Sequence, residues 1–297
     1  MGSNVVTKRL SQPLDRASPR QRPHTQQQRR RSATRAFTLP SARTLEYLAM
    51  TVILALAAIL DFWRLTENGF ANLYYAAAVR SMAESWHAFF FVGYDSGGYI
   101  TIDKPPLGFW AQVASVRLFG FTSLGVLFPQ ALAGVLSVGT LWRIVRRTFG
   151  PLVGVLAALA LAISPINVVV NRSNVLEPLL LLTLLLAAWT VLRATDDGSL
   201  GWLLVWATLI GLGFNIKMLE AYLVVPALAV VYLLGAPVRW RTRFIRLALA
   251  GALLLVVSLV WATAVDLTPT AQRPYVASSQ NDSELGLAFG YNGLIRL

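Results

Sequence analysis

From about residue 45 onward the chain alternates long apolar runs with short polar connections rich in arginine. Seven runs, near Tyr47–Trp63, Ser123–Trp142, Pro151–Ile166, Val175–Leu192, Leu200–Phe214, Leu219–Leu234 and Leu247–Val265, approach the length a helix needs to cross a bilayer core of about 30 Å. The repetition predicts an all-α polytopic membrane bundle with about seven spans, since lipid leaves no water to satisfy backbone polar groups outside helices or closed barrels. Several runs are short, which predicts tilt, kinks or local thinning. Residues 1–44 carry Arg, Gln, Pro and Ser with almost no apolar periodicity, and read as a disordered basic tail. No small-residue cleavage pattern follows the first apolar run, so the tail is not read as a secretory signal.

Composition agrees with a lipid-facing exterior: 56% of the residues are hydrophobic and 13% charged, against about 25% charged in a soluble domain. The net charge of +12 is concentrated in the tail and the short connections, which points to anionic headgroups and not to nucleic acid. The chain has no cysteine, which excludes disulfides, thiol catalysis and Cys-bound metal, and its only histidines are His24 and His87.

Charge also orients the bundle. With the tail in the cytoplasm, 18 basic residues fall inside, including Arg143, Arg146, Arg147, Arg193, Arg239, Arg241, Arg243 and Arg246, and 8 fall outside. That bias follows the positive-inside rule and predicts a bacterial inner-membrane protein with a cytoplasmic N-terminus. The segment 64–122 is then a long extracytoplasmic loop, and everything after Asp266 lies outside too. The chain reads as stopping partway through an outer loop.

Within 64–122, Asn72–His87 reads as a surface-lying helix with Tyr75, Val79, Met82 and Trp86 on one face and Arg80 spaced to pair with Glu84. A second helix should start at Pro105-Pro106 and run through Trp110, Val113 and Arg117 to Phe119. Between them lies Gly97-Gly98-Tyr99-Ile100-Thr101-Ile102-Asp103-Lys104-Pro105-Pro106, where an acid and a base adjoin a stiff proline pair. The pair of helices is either a platform at headgroup level or a simple cap on the bundle.

Four stretches, Asn72 to Met82, Ser85-Trp86-His87, Asp103-Lys104-Pro105-Pro106-Leu107 and Phe128-Pro129-Gln130-Ala131-Leu132, occur in an order that resembles the dolichyl-phosphate-mannose protein mannosyltransferase-like family. These are membrane glycosyltransferases of the C-type fold, related to the aminoarabinose transferase of lipid A. The resemblance covers about residue 45 to the end. Members are about twice this length, so the chain resembles an N-terminal half, and a separate C-terminal half is an expected partner.

The resemblance implies transfer of a sugar from a polyprenyl-phosphate carrier to an unidentified acceptor outside the membrane. A cation against the leaving phosphate lowers the barrier to breaking the glycosidic bond. Lys104 matches the lysine of the family's acid-Lys-Pro-Pro motif, with Arg172 and Lys217 as secondary lipid-phosphate contacts. The alternative for these two is snorkelling, or pairing with Glu177 and Glu220. A carboxylate is expected to take the acceptor's proton. Many members carry Asp-Glu just before the Tyr-bearing helix, where this chain has Ala71-Asn72, so Asp103, then Glu177, then Glu67 are the catalytic candidates. Asn72, Tyr74, Tyr75 and His87 are candidates for lining the sugar pocket. No ligand spacing signals a metal, although Asp103 and Glu177 leave room for a shared divalent cation. Two other readings stand beside the enzyme: a non-catalytic lipid-binding or assembly partner, and a transporter.

Overall fold

The computed structural model describes residues 41–294. The expected disordered tail lies outside that range except for its last residues. There the helix α1 (Ala42–Phe62) begins earlier than the apolar pattern suggests, because the Ser41 hydroxyl accepts from the Thr44 amide and caps it.

The outer segment folds as α2 (Leu73–Glu84), α3 (Trp86–Phe91) and α4 (Leu107–Phe119). The single helix expected over Asn72–His87 is broken at Ser85, whose extended backbone lets its hydroxyl accept from the Ala88 amide and cap α3. Val79 and Met82 remain buried on the predicted face, but Trp86 beyond the break is 75% exposed. Arg80 and Glu84 pair at 3.2 Å as the spacing requires. The Pro106 N-cap opens α4, which buries Phe109, Val113 and Val116 against Val126 and Leu127.

The bundle itself comprises α5 (Ser123–Phe149), α6 (Pro151–Ala162), α7 (Pro165–Asn171), α8 (Glu177–Asp197), α9 (Leu200–Lys217), α10 (Val225–Gly235) and α11 (Trp240–Leu267). α1 and α5 run antiparallel, with Phe62 beside Phe128 at one end and Tyr47 beside Trp142 at the other. Gly134 lets them approach: a Cβ there would collide with Asn171 and Asp61, which are joined by a 3.0 Å hydrogen bond. The Arg172 guanidinium donates to the carbonyls of Leu60 and Trp63, both at 2.8 Å, and so satisfies the end of α1.

Among the described residues five stretches are long and apolar enough to cross a membrane, or six if α6 and α7, bent by 60°, count as one. Seven runs were expected. α6 and α7 separate because Pro165 opens α7 and Ser164 before it is extended, as a residue preceding proline prefers. The runs near 200–214 and 219–234 are continuous through a 3-10 stretch, Met218–Val224, and count as one of 36 residues. Its two ends lie close together: Gly235 abuts Thr195, and Gly198 abuts Pro237 and Val238. α11 starts seven residues earlier than the apolar run, taking in Arg241, Arg243 and Arg246. Two of these are fixed by backbone acceptors, Arg243 at Leu233 and Arg246 at Gly198. Strand pairing among the described residues is limited to two isolated bridges.

Candidate active site

The segment carrying Asp103 and Lys104 is held in place by backbone pairing. Gly93 bridges Thr101, Ile100 bridges Tyr275, and the Ile102 amide donates to the Val92 carbonyl at 2.9 Å. Val92 has φ 55°, which a β-branched residue rarely adopts, and the turn it makes aims that carbonyl at Ile102. The Thr101 amide donates to Tyr275 at 2.9 Å, and the Thr101 hydroxyl accepts from Ala277 at 3.1 Å. The Asp95 carboxylate closes the preceding turn by accepting the amides of Tyr99 and Ile100. What burial it suffers would raise its pKa, but these amides outweigh that and hold it below the usual range.

Lys104 is 4% exposed although it is a lysine in a loop. Its Nζ donates to the Asn292 Oδ1 at 2.8 Å, to the Asp103 carboxylate at 3.0 Å and to the Asp103 carbonyl at 3.1 Å, and lies 5.8 Å from the centre of the Tyr291 ring. Asn292 is fixed in turn, its Nδ2 donating to the Asp103 carbonyl at 2.8 Å and to the Met218 Sδ at 3.2 Å. Met218 has φ 48° and ψ −131°, a strained pair for any residue but glycine, at the junction of α9 with the 3-10 stretch.

Tyr74 and Tyr94 stack loosely at 4.8 Å beside this centre, and Tyr74 also meets Tyr75 at 5.8 Å. The Tyr74 hydroxyl oxygen faces the Asp103 backbone amide, a contact that lowers its pKa. Burial first, and then the Asp103 charge, outweigh this and push it up to about 12, so the phenol stays protonated. The chemistry on offer is a buried cation between a carboxylate and a neutral amide, with tyrosine rings at its side.

A family model described as dolichyl-phosphate-mannose-protein mannosyltransferase matches residues 103–261, more than half of the chain, and its match begins at Asp103. The chain belongs to this mannosyltransferase family. It is 45% identical over 249 residues to "Putative mannosyltransferase YycA" and 42% identical over 255 residues to "Putative mannosyltransferase YkcB", both of Bacillus subtilis (strain 168). These matches cover 84% and 86% of the chain, but the chain spans only 36% of the length of either relative. The fold is that of ArnT from Cupriavidus metallidurans. The TM-scores are 0.57 for the apo state and 0.56 for the structure bound to undecaprenyl phosphate, each at 24% identity. Those superpositions cover 77% and 76% of this chain, and 43% and 42% of ArnT.

Of the residues that sequence singled out in this mannosyltransferase-family chain, the structure brings Asp103, Lys104, Tyr74 and Tyr75 together. Tyr75 packs edge-on against Phe109 at 5.2 Å. Lys217 is held by Glu177 at 2.9 Å and Glu220 at 2.7 Å, the ion-paired alternative, although its neighbour Met218 touches Asn292. Arg172 is engaged with carbonyls of α1, and it lines a cavity of about 360 Å³ with Arg64 and Glu67, which pair with each other at 2.6 Å. Asn72 acts as N-cap of α2, accepting from the Tyr75 amide at 3.2 Å, and its carbonyl accepts from Asn174. It borders a separate cavity of about 600 Å³. His87 donates from Nε2 to the Gln272 carbonyl at 3.0 Å and packs on Phe91. Among the described residues no group of three His, Cys, Asp or Glu side chains is arranged to hold a metal ion.

Sequence reasoning missed Asn292, Tyr291, Tyr94 and Glu284. Glu284 opens the short helix α12 (Glu284–Phe289), is fully buried, and its two oxygens accept no hydrogen bond among the described residues. Burial above all, then the charge of Asp266, holds its carboxyl well above the usual range. A polar, glycine-rich ending such as Ser283-Glu284 to Tyr291-Asn292-Gly293 gives no periodic signal of burial.

Proposed function

We propose that this chain carries the donor-binding half of a membrane glycosyltransferase, moving a sugar from a polyprenyl-phosphate carrier to an acceptor on the extracytoplasmic side of a bacterial inner membrane. The observation that carries the reading is the Lys104 ammonium, buried yet shared with a neutral amide. A lipid phosphate is a stronger acceptor for an ammonium than an amide oxygen is, so the phosphate displaces Asn292 and keeps Lys104 as its counter-charge. As the acceptor hydroxyl attacks the anomeric carbon, the bond from that carbon to the carrier's phosphate oxygen breaks. Its electron pair stays on the phosphate beside Lys104, and Asp103 takes the hydroxyl proton. Tyr74, Tyr75 and Tyr94 offer ring faces to the sugar. Glu177 and Glu67 are weaker choices of base, each paired to a cation away from Lys104. Arg172, Lys217, Asn72 and His87 act as supports of this arrangement.

The names of the Bacillus relatives and the lipid bound to ArnT support the donor class. The family assignment removes the ground for a transporter. Because the chain spans 36% of its relatives, a C-terminal half is proposed as the partner that completes the acceptor side. The test is incubation of membranes holding the chain, with and without such a half in trans, with radiolabelled polyprenyl-phosphate mannose and aminoarabinose. No label transfer in either case removes the enzyme reading and leaves the non-catalytic partner.

The same proposal places the N-terminus in the cytoplasm and takes the Leu200–Gly235 stretch as two passages, giving seven. Support comes from the arginine bias and from the return of Gly235 to Thr195. The absence of cysteine makes single-cysteine labelling on intact cells a clean check: Glu84→Cys, at an exposed side chain of the outer segment, should react with an impermeant maleimide, whereas a cysteine at Arg143 should not.

A further inference from the structure

The other end of the bundle holds a second basic site, about 22 Å along α5 from Leu127 by the rise of a helix. There a cavity of about 870 Å³ opens between α1, α5, α6 and α8, lined by Arg143, Arg146, Arg147 and Arg193 and by Trp142 and Trp189. Only two of the four guanidinium groups have an acid: Arg146 pairs with Glu46 and Arg147 with Asp196. Arg143 lies over the Trp189 ring at 5.9 Å and Arg193 over the Trp202 ring at 5.7 Å. Neither is paired with a carboxylate among the described residues. Ring faces orient a guanidinium without neutralising it, so the cavity keeps a surplus of two positive charges. Two buried donors on its wall, the Arg193 Nε and the Trp142 Nε1, have no hydrogen-bond acceptor among the described residues. A buried donor at membrane depth without an acceptor is costly, and an anion in the cavity would supply one to both.

The ends of the helices explain the concentration of charge. Arg146 and Arg147 lie in the last turn of α5, where the helix dipole favours cations and would draw an anion to the arginines and not to the carbonyls. Tyr47, half exposed, stands over Arg146 at 5.5 Å, and Trp142 at 5.3 Å, so the mouth carries the aromatic residues common at a membrane interface.

We propose that this cavity binds the phosphate of an anionic lipid headgroup, in the leaflet opposite the Lys104 centre. The bidentate geometry of guanidinium suits a phosphodiester, and a cavity between spanning helices at headgroup depth is within reach of a lipid whose tails stay in the bilayer. A free phosphate offers the same chemistry without the tails, and the test separates the two.

The protein, purified in a nonionic detergent, is titrated with phosphatidylglycerol, with phosphatidylcholine and with inorganic phosphate, and bound lipid is counted by native mass spectrometry. Phosphatidylglycerol should bind at least about tenfold more tightly than phosphatidylcholine. The double variant R143Q/R193Q should lose about tenfold in phosphatidylglycerol affinity, while R143K/R193K keeps most of it. The single variant R143Q, at an exposed side chain, is read in parallel and should lose about threefold with an unchanged melting temperature, which guards against misfolding of the double variant. Equal phosphatidylglycerol binding by wild type and both glutamine variants overturns the proposal. Arginine-dependent binding of inorganic phosphate with no preference for the lipid overturns the lipid source.

Discussion

Lys104 and Lys217 stand near one another in the fold, linked through Asn292 and Met218, yet they are held in opposite ways. Lys217 sits between two carboxylates, Glu177 and Glu220, and its side chain is 16% exposed. Lys104 has one carboxylate and one neutral amide, and its side chain is 5% exposed. A cation flanked by two acids is more than neutralised and holds chain segments together. A cation that shares its carboxylate with a neutral amide has a contact that a phosphate can exchange for. The difference teaches that the chemistry of a lysine's partners, and not its depth, separates a binding group from a brace.

The largest break in that comparison is Lys104→Ala. Label transfer should fall by about 100-fold or more, the scale seen when an electrostatic stabiliser of a transition state is removed. Membrane insertion and yield should be unchanged, and turnover close to wild type would end the phosphate assignment. Asn292→Ala should come next. Removing the amide costs the Lys104 centre two hydrogen bonds, to the Lys104 ammonium and to the Asp103 carbonyl, each worth about 1 kcal/mol, so activity should fall by roughly tenfold through misplacement of the cation. A gain in donor affinity alongside that loss, read by donor titration, would show that the amide and the phosphate compete for one ammonium.

Lys217→Met should do the reverse of Lys104→Ala. It leaves Glu177 and Glu220 facing each other, and both are partly exposed, so the cost in stability is about 1 kcal/mol. The melting temperature should drop by a few degrees, and transfer by the folded fraction should change no more than about threefold. The smallest effect is expected at Glu284. Its folded pKa is raised, so its contribution to stability is fully present below the ordinary carboxylate range and is lost as pH rises through that range toward the folded value. Glu284→Gln removes the group that must ionise. The melting temperature of the variant should match wild type at pH 4 and exceed it by a growing margin toward pH 8, and a flat difference across that range would contradict a raised pKa for the buried acid.

Much of this arrangement was legible in the chain because membrane physics writes it in blocks. Long apolar runs located α1, α5, α8, α9 and α11 to within several residues, and Pro105-Pro106 located the start of α4. The acid-Lys-Pro-Pro motif located the ammonium that the fold buries. What failed to show was everything dependent on contacts across the chain. Ser85 breaks one predicted helix in two because a hydroxyl happens to cap the second piece. In the sequence Arg172 reads as a secondary phosphate contact or as a snorkelling or ion-paired cation, and only the fold reveals that the carbonyls of Leu60 and Trp63 receive it. Asn292 is one amide in a stretch without periodicity, and its partner lies 188 residues earlier. Periodicity reports which face of an element is buried and says nothing of which distant side chain will meet a given loop.

That separation has a consequence for the order in which the molecule is made. The ribosome delivers Lys104 long before Asn292, and Met218 between them. Until Asn292 emerges, the lysine therefore waits without its amide partner, and the centre beside the tyrosine rings stays open. A nascent chain arrested before Gly290 would have α1 to α11 made and Lys104 still unlatched.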